Sequence, residues 1–139
     1  EIYEPIENTH EDQILKYSKI PADINEKIFN QSKDWAVLIA EELKYVGTLC
    51  VEFFIDRNDN LYVNEIAPRV HNSGHLTINA FNISQFENHV RAVCDLGLEK
   101  VEKISNAEML GYFSTILCCK INASDREGLR TVVAKNCGA

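Results

Sequence analysis

Two strand-like stretches joined by a short polar turn constrain the fold more than any other feature of this sequence. Thr48–Asp56 and Leu61–Ile66 are rich in apolar residues, and the four residues between them, Arg57–Asn60, are all polar. Apolar runs separated by a short polar turn predict an antiparallel β-hairpin. Each strand of this hairpin carries a glutamate, Glu52 in the first and Glu65 in the second.

The length of the turn predicts which residues face one another across the hairpin. Counting back from Arg57–Asn60 gives these pairs: Asp56 with Leu61, Phe54 with Val63, Phe53 with Asn64, and Glu52 with Glu65. Directly opposed side chains lie on the same face, about 5 Å apart at Cβ. Two carboxylates in this arrangement repel each other, and burial of an unpaired charge is costly.

A divalent cation bound by both carboxylates would compensate for this repulsion. Asn64 could add a neutral oxygen, and an all-oxygen ligand set favours Mg²⁺ or Mn²⁺, often shared with substrate phosphates. The alternative is that Glu52 and Glu65 face solvent or pair with Lys or Arg. Spacing alone slightly favours that alternative, because a β-bulge would shift the register.

The loop that follows the second strand is dense in hydrogen-bond donors. Ala67–His75 contains the polar residues Arg69, His71, Asn72, Ser73 and His75. A guanidinium matches the planar geometry of carboxylate, bicarbonate or phosphate, and His and Asn side chains can add hydrogen bonds. A polar surface turn is the weaker interpretation for so many donors, so the loop predicts an anion site beside the carboxylates.

The remaining pattern predicts an α+β fold, an antiparallel sheet packed by helices. Apolar residues recur at helical spacing between Asp23 and Tyr45, with Asp23 as the expected N-cap. Ser84 and Glu87 form a capping-box pattern that opens a second helix, with an apolar side expected to contain Phe86, Val90, Val93 and Cys94. The other expected segments are strands at Ile2–Ile6 and Ile14–Ile20, a loop at Glu7–Asp12 and a strand within Ala107–Lys120.

Composition excludes several classes of protein. The 139 residues carry a net charge of -7, which gives no general attraction to nucleic acid. No apolar run is long enough to cross a membrane. Five cysteines without a C-x-x-C pair favour reduced thiols and a cytoplasmic location, with Cys50 and Cys94 as small core side chains.

Several motifs resemble those of one enzyme family. Asn64–His75, with the order Asn-Glu-Ile-Ala-Pro-Arg-Val-His-Asn-Ser-Gly-His, resembles the signature of the 5-(carboxyamino)imidazole ribonucleotide synthases, which are ATP-grasp enzymes. Ile83–Ala92 is also similar to that family, and so are Tyr45–Gly47 leading into Val51–Phe54, and Glu7–His10. The resemblance covers roughly residues 2–110 and predicts the C-terminal lobe of the ATP-grasp domain.

The resemblance implies a reaction in de novo purine biosynthesis. ATP phosphorylates bicarbonate to carboxyphosphate, which carboxylates the amino group of aminoimidazole ribonucleotide. By position, Glu52 and Glu65 would bind Mg²⁺ or Mn²⁺, and Asn64 with Glu65 would lie at the nucleotide phosphates. Arg69, His71 and Asn72 would be the catalytic residues that bind bicarbonate or carboxyphosphate.

The chain departs from the family pattern in its extent. Lobes that clamp ATP and the nucleotide substrate are missing, the first residue is Glu1, and residues 111–139 form a divergent tail of uncertain structure. The chain is therefore expected to be a piece of a longer protein, inactive alone and prone to self-association through an uncovered sheet face. Another ATP-grasp ligase, using formate or carboxylating biotin, or a non-catalytic binding module remain alternatives.

Overall fold

A mixed helix and sheet structure confirms the predicted α+β class. The computed structural model describes residues 1–12, 14–112, 115–117 and 130–138. Its strands are β1 (Ile2–Glu11), β2 (Ile14–Ile20), β3 (Gly47–Ile55), β4 (Leu61–Ala67), β5 (Ala107–Tyr112), β6 (Thr115–Leu117) and β7 (Arg130–Gly138). Its helices are α1 (Glu26–Leu43), α2 (Thr77–Ala80) and α3 (Gln85–Val93), and a 3₁₀ turn spans Asn72–Gly74.

The seven described strands form one sheet in the order β4-β3-β7-β1-β2-β5-β6, and neighbouring strands are antiparallel. The predicted hairpin is therefore β3 and β4, with β4 at an edge. Strand β7 lies between β3 and β1, and its backbone pairs with all nine residues of β3. Residues 130–138 thus belong to the same sheet as the hairpin, while the proposed division of the chain at residue 110 stays a prediction.

Helix α1 begins later than the sequence pattern predicts. Its N-cap is Asn25, whose side-chain oxygen accepts a 2.9 Å hydrogen bond from the amide of Ile28. The expected cap, Asp23, lies before the helix, where its amide donates to a carboxylate oxygen of Glu7 at 2.9 Å. The helix ends at Leu43, and its C-cap Lys44 takes the left-handed conformation with φ 49°.

Helix α1 covers one face of the sheet, called here the helix face. Alternate residues of β3 point into it because successive strand side chains project to opposite sides. Phe53 is fully buried there, and its ring lies 6.2 Å from that of Trp35. The other buried members of this core are Ile28, Ala36, Ala40, Leu49, Val51, Ile55 and Leu61. Burial of these apolar side chains fixes α1 against the hairpin.

The opposite face of the sheet, called here the site face, carries Thr48, Cys50 and Glu52 of β3, all of them buried. A second apolar core lies farther along this face, where the ring of Tyr3 meets that of Phe81 edge-on at 5.0 Å. Segments that follow β4 therefore cover the sheet opposite α1. Both faces of β3 are covered, whereas residues 62–66 of the edge strand β4 are exposed, so the open sheet face expected from the sequence stays a prediction.

Two local predictions are wrong. Glu7–Asp12 is mostly strand, because β1 continues to Glu11 and the buried Glu7 is paired with Lys19 at 3.2 Å. In α3 the buried residues are Gln85, Asn88 and Ala92, while Val90, Val93 and Cys94 are exposed. The helix turns polar groups inward because the site face presents polar partners there.

Other local predictions are confirmed. Ser84 caps α3 by accepting a hydrogen bond of 3.2 Å from the amide of Glu87. Cys50 is fully buried on β3. In the described part of the chain, no helix combines the length and apolar character that crossing a membrane would require.

Candidate active site

Glu52 and Glu65 face each other across the hairpin, as the sequence predicts, but the register around them differs. Asp56 belongs to the turn, so Ile55 rather than Asp56 pairs with Leu61. The expected pairs Phe54 with Val63 and Phe53 with Asn64 are therefore wrong, and the observed pairs are Phe54 with Tyr62 and Phe53 with Val63. A β-bulge shifts the register by one residue between the pairs Phe53–Val63 and Glu52–Glu65. This shift compensates for the one at the turn and restores the Glu52–Glu65 pair.

The bulge leaves Asn64 as the extra residue of β4, and this changes where its side chain points. The side-chain amide of Asn64 donates to Oε2 of Glu52 at 3.3 Å. Asn64 therefore lies on the site face with Glu52 and Glu65, rather than across the strand from them. A bulge commonly redirects a side chain in this way next to active sites.

The carboxylate of Glu52 is nearly buried, with 8% of its side chain exposed. Its two oxygens have different partners. Oε2 accepts from Asn64, and Oε1 lies 3.5 Å from Nε2 of His71. These contacts offset part of the cost of burying the charge. Glu65 is exposed on the edge strand, so the pair combines one shielded and one accessible carboxylate.

His71 joins the loop after β4 to Glu52. Its other ring nitrogen, Nδ1, lies 2.8 Å from Oγ of the buried Ser73. Only 12% of the His71 side chain is exposed. The structure thus brings four predicted site residues together on the site face: Glu52, Asn64, Glu65 and His71.

Arg69 and Asn72 are placed differently. Both are exposed, and Arg69 donates from Nη1 to the carbonyl of the adjacent Val70 at 3.0 Å. Within the described ranges, neither side chain makes a hydrogen bond or ion pair with Glu52 or Glu65. These two side chains extend from the rim of the loop into solvent, where an anion could reach them.

Gln85 also contributes to the site, although the sequence pattern does not predict a role for it. This fully buried side chain bonds both backbone polar groups of His71, accepting from its N–H at 3.1 Å and donating to its carbonyl at 2.8 Å. Its only sequence signal is a position just after the helix cap Ser84, which is ordinary for a polar residue. Contacts between residues 14 positions apart leave no local pattern.

The donor set fits a cation that is shared with a ligand. Among the described residues, no group of three or more His, Cys, Asp and Glu side chains could hold a metal ion. Glu52, Glu65 and the Asn64 amide supply oxygens on one face, which suits Mg²⁺ or Mn²⁺ only when phosphate or water completes the coordination. This arrangement differs from a closed structural metal site, in which protein side chains supply every ligand.

Comparison with known proteins places this architecture in a family. Residues 1–86 match the model of the ATP-grasp domain, and this range contains the hairpin and the loop up to the start of α3. The chain belongs to the ATP-grasp family.

The most similar proteins agree with one another in name. The chain is 45% identical over 104 residues to the N5-carboxyaminoimidazole ribonucleotide synthase of Bacillus subtilis. The aligned segment covers 75% of this chain and 27% of that protein. The structure of N5-carboxyaminoimidazole synthetase from Staphylococcus aureus complexed with ADP matches with a TM-score of 0.70 and 36% identity, covering 78% of this chain and 34% of that one.

A third match comes from a fungus. The synthase from Aspergillus clavatus in complex with ADP and 5-aminoimidazole ribonucleotide gives a TM-score of 0.74 and 33% identity, over 78% of this chain and 30% of that chain. The resemblance inferred from the motifs is confirmed. The chain spans about a quarter to a third of the length of these relatives.

Proposed function

We propose that this chain supplies the metal–phosphate part of a ligase that uses ATP and bicarbonate to carboxylate aminoimidazole ribonucleotide in purine biosynthesis. The observation that carries the proposal is the opposed pair Glu52 and Glu65, with Asn64 turned onto the same face by the bulge. Such a pair costs stability unless a ligand uses it.

The relatives support this substrate class. The S. aureus protein binds ADP, and the A. clavatus protein binds ADP together with 5-aminoimidazole ribonucleotide. Because the chain covers 27% of the B. subtilis synthase, the complete reaction is proposed for a longer assembly and not for these 139 residues alone. A cytoplasmic location and a homo-oligomeric state remain predictions.

Each side chain has a distinct task in this proposal. Glu52 and Glu65 would hold Mg²⁺ or Mn²⁺ together with nucleotide phosphates, and the bound cation would neutralise phosphate charge. Asn64, which donates to Oε2 of Glu52, would hold that oxygen in place for the cation. The exposed guanidinium of Arg69 would bind bicarbonate or carboxyphosphate as a planar fork.

The rest of the loop would complete the anion site. The Asn72 amide is exposed near the start of the 3₁₀ turn and would add a hydrogen bond to the same anion. His71, whose ring already contacts Glu52 and Ser73, would lie between the anion and the carboxylates. Catalysis in such a site consists mainly of positioning and charge stabilisation.

Mn²⁺ binding tests the metal site directly. Electron paramagnetic resonance would follow free Mn²⁺ during titration of the chain, with and without ADP, and of the Glu52→Gln plus Glu65→Gln variant. We expect binding that ADP strengthens and that the double variant loses. A matched variant, Glu41→Gln plus Glu42→Gln on the exposed end of α1, should bind like the parent chain. Equal binding by all three proteins would contradict the proposal.

A chimera tests the reaction itself. The 104-residue segment of the B. subtilis synthase that matches this chain would be replaced by the corresponding segment of this chain. We expect ADP formation that depends on both bicarbonate and aminoimidazole ribonucleotide, and its loss in the chimera carrying Arg69→Ala. Activity that depends on formate or biotin instead would identify another ATP-grasp ligase, and a folded but inactive chimera would favour a non-catalytic module.

A further inference from the structure

We propose that Gln85 is a positioning residue that aims the His71 imidazole at Glu52 and thereby orders the carboxylate of the metal–phosphate site. The effect on metal binding rests on the proposed function, whereas the effect of Gln85 on the position of His71 does not depend on it. The side-chain amide of Gln85 makes two hydrogen bonds with the backbone of His71: its oxygen accepts from the His71 N–H, and its nitrogen donates to the His71 carbonyl. Paired bonds of this kind fix both the position and the plane of the His71 backbone.

Gln85 is itself held from two directions. Its backbone N–H donates to Oγ1 of Thr77 at 3.0 Å, and its backbone carbonyl accepts from Oγ1 of Thr48 at 3.0 Å. Thr48, Thr77 and Gln85 are all fully buried. Contacts thus run from Thr48 through Gln85 and His71 to Glu52. Thr48 and Glu52 both lie on β3, four residues apart, so the same strand holds both ends of this series.

Both ring nitrogens of His71 have a partner, and these partners bear on which nitrogen of a neutral ring carries hydrogen. An ionised carboxylate only accepts hydrogen bonds, so the Nε2–H form of a neutral His71 suits Oε1 of Glu52 at 3.5 Å. Nδ1 then accepts from the hydroxyl of Ser73 at 2.8 Å. His71 thus orients one oxygen of Glu52 while Asn64 orients the other, and the carboxylate presents its remaining lone pairs in a fixed direction.

Burial of a glutamine side chain requires desolvation of its polar amide, which an apolar side chain of similar size would avoid. An apolar side chain of similar size would pack at this position, but the His71 amide and carbonyl would lose their Gln85 partners. Residues outside the direct ligand set commonly change metal affinity by about 10–100-fold when replaced, because they orient the ligands. We therefore expect Gln85 to influence cation binding without touching the cation.

The test combines histidine NMR with Mn²⁺ titration of the full chain. Long-range ¹H–¹⁵N spectra report the tautomer of His71 in the parent chain, in Gln85→Met and in Gln85→Glu, which retains size and polarity. Gln31→Met on α1 is the matched control. We expect a single Nε2–H tautomer in the parent chain and in the control. In both Gln85 variants we expect a mixture of tautomers and a Mn²⁺–ADP dissociation constant that is higher by about tenfold or more.

The outcomes separate this inference from the proposed function. A tautomer mixture in the parent chain, or an unchanged His71 spectrum in a folded Gln85 variant, would overturn the positioning role. A changed spectrum with unchanged Mn²⁺ affinity would show that the positioning has no effect on the site. If the parent chain binds no Mn²⁺, the proposed metal site fails, while the spectra still decide whether Gln85 positions His71.

Discussion

The phenolic hydroxyl of Tyr45 donates a 2.8 Å hydrogen bond to the carbonyl oxygen of Pro68. This bond connects the segment after α1 to the residue that directly follows β4, in the loop that carries Arg69. Replacement of Tyr45 by Phe removes the donor and keeps the ring. Because the contact is exposed and water can replace it, we expect a loss of about 0.5–1 kcal/mol in the free energy of unfolding, measured by urea denaturation.

The same substitution should increase local motion of the loop. Hydrogen exchange of the Arg69 amide, which donates to the carbonyl of Ala67 at 2.8 Å, should become faster in Tyr45→Phe. Exchange in α1 should stay unchanged. Equal protection of the loop in both proteins would show that Tyr45 does not restrain it.

Gly47 cannot be replaced without strain. Its φ of +125° is one that residues with a Cβ rarely adopt, and a Cβ built there would lie 3.1 Å from both the His89 ring and the Tyr45 hydroxyl. We expect Gly47→Ala to lower the free energy of unfolding by about 1–3 kcal/mol. Gly97→Ala is the matched control, since its φ is +72° and no atom lies within 4 Å.

Chemical denaturation of both glycine variants would test this. We expect the cost at Gly97 to be smaller, about 1 kcal/mol, because only the left-handed backbone opposes the new side chain. The contact of His89 with the amide of Thr48 at 3.0 Å should also weaken in Gly47→Ala alone. Similar losses in the two variants would mean that the crowding at Gly47 has no energetic effect.

Glu65→Gln should have opposite effects on stability and on binding. The substitution removes a like charge directly opposite Glu52, so we expect a gain of a few tenths of a kcal/mol in the metal-free chain. Mn²⁺ with ADP should stabilise the parent chain and leave the variant nearly unchanged, because a ligand stabilises only the form that binds it. Thermal unfolding with and without Mn²⁺–ADP measures both effects, and a variant less stable than the parent without metal would be the contrary result.

The hairpin turn depends on an ionised Asp56. Hydrogen bonds from the side chain and backbone of Asn60, with further donors from Asn58 and Tyr62, lower the pKa of Asp56 below its usual value of 3.8. A carboxyl whose pKa is lower in the folded chain stabilises the fold above the unfolded pKa, and this contribution disappears as pH falls through the folded pKa.

Thermal unfolding of the parent chain and Asp56→Asn across this range measures the contribution. We expect the parent to be the more stable protein at neutral pH and its advantage to shrink as the pH falls below 3.8. The salt dependence of the difference should be small, because hydrogen bonds rather than distant charges lower the pKa. A difference that stays constant with pH would show that Asp56 acts without its charge.

The sequence predicted the hairpin and the Glu52–Glu65 pair because side chains alternate along strands and the polar turn is short. It did not predict the bulge at Asn64, since the one-residue shift at the turn and the bulge cancel at Glu52. Two different registers therefore give the same glutamate pair. The two registers differ between the turn and the bulge, where Phe53 pairs with Val63 rather than Asn64, and no local pattern encodes this difference.

Predictions failed where polar residues are buried with distant partners. The buried Asn8 accepts from Ser18 at 2.6 Å on the neighbouring strand β2, and Glu7 pairs with Lys19, so a polar stretch continues β1 instead of forming a loop. The inward face of α3 is polar for the same reason, with Asn88 donating to the hydroxyl of Tyr3 at 3.2 Å. Local hydrophobic periodicity assigns such residues to the surface.

The position of β7 between β3 and β1 has a consequence for folding kinetics. Strands β1 and β3 acquire their shared neighbour only when residues 130–138 arrive, so the contacts that close the sheet are among the most distant in the sequence. Such non-local pairing slows folding. While a ribosome synthesises the chain, the unpaired backbone edges of β1 and β3 are open to other strands, and this interval is when the chain is most exposed to aggregation.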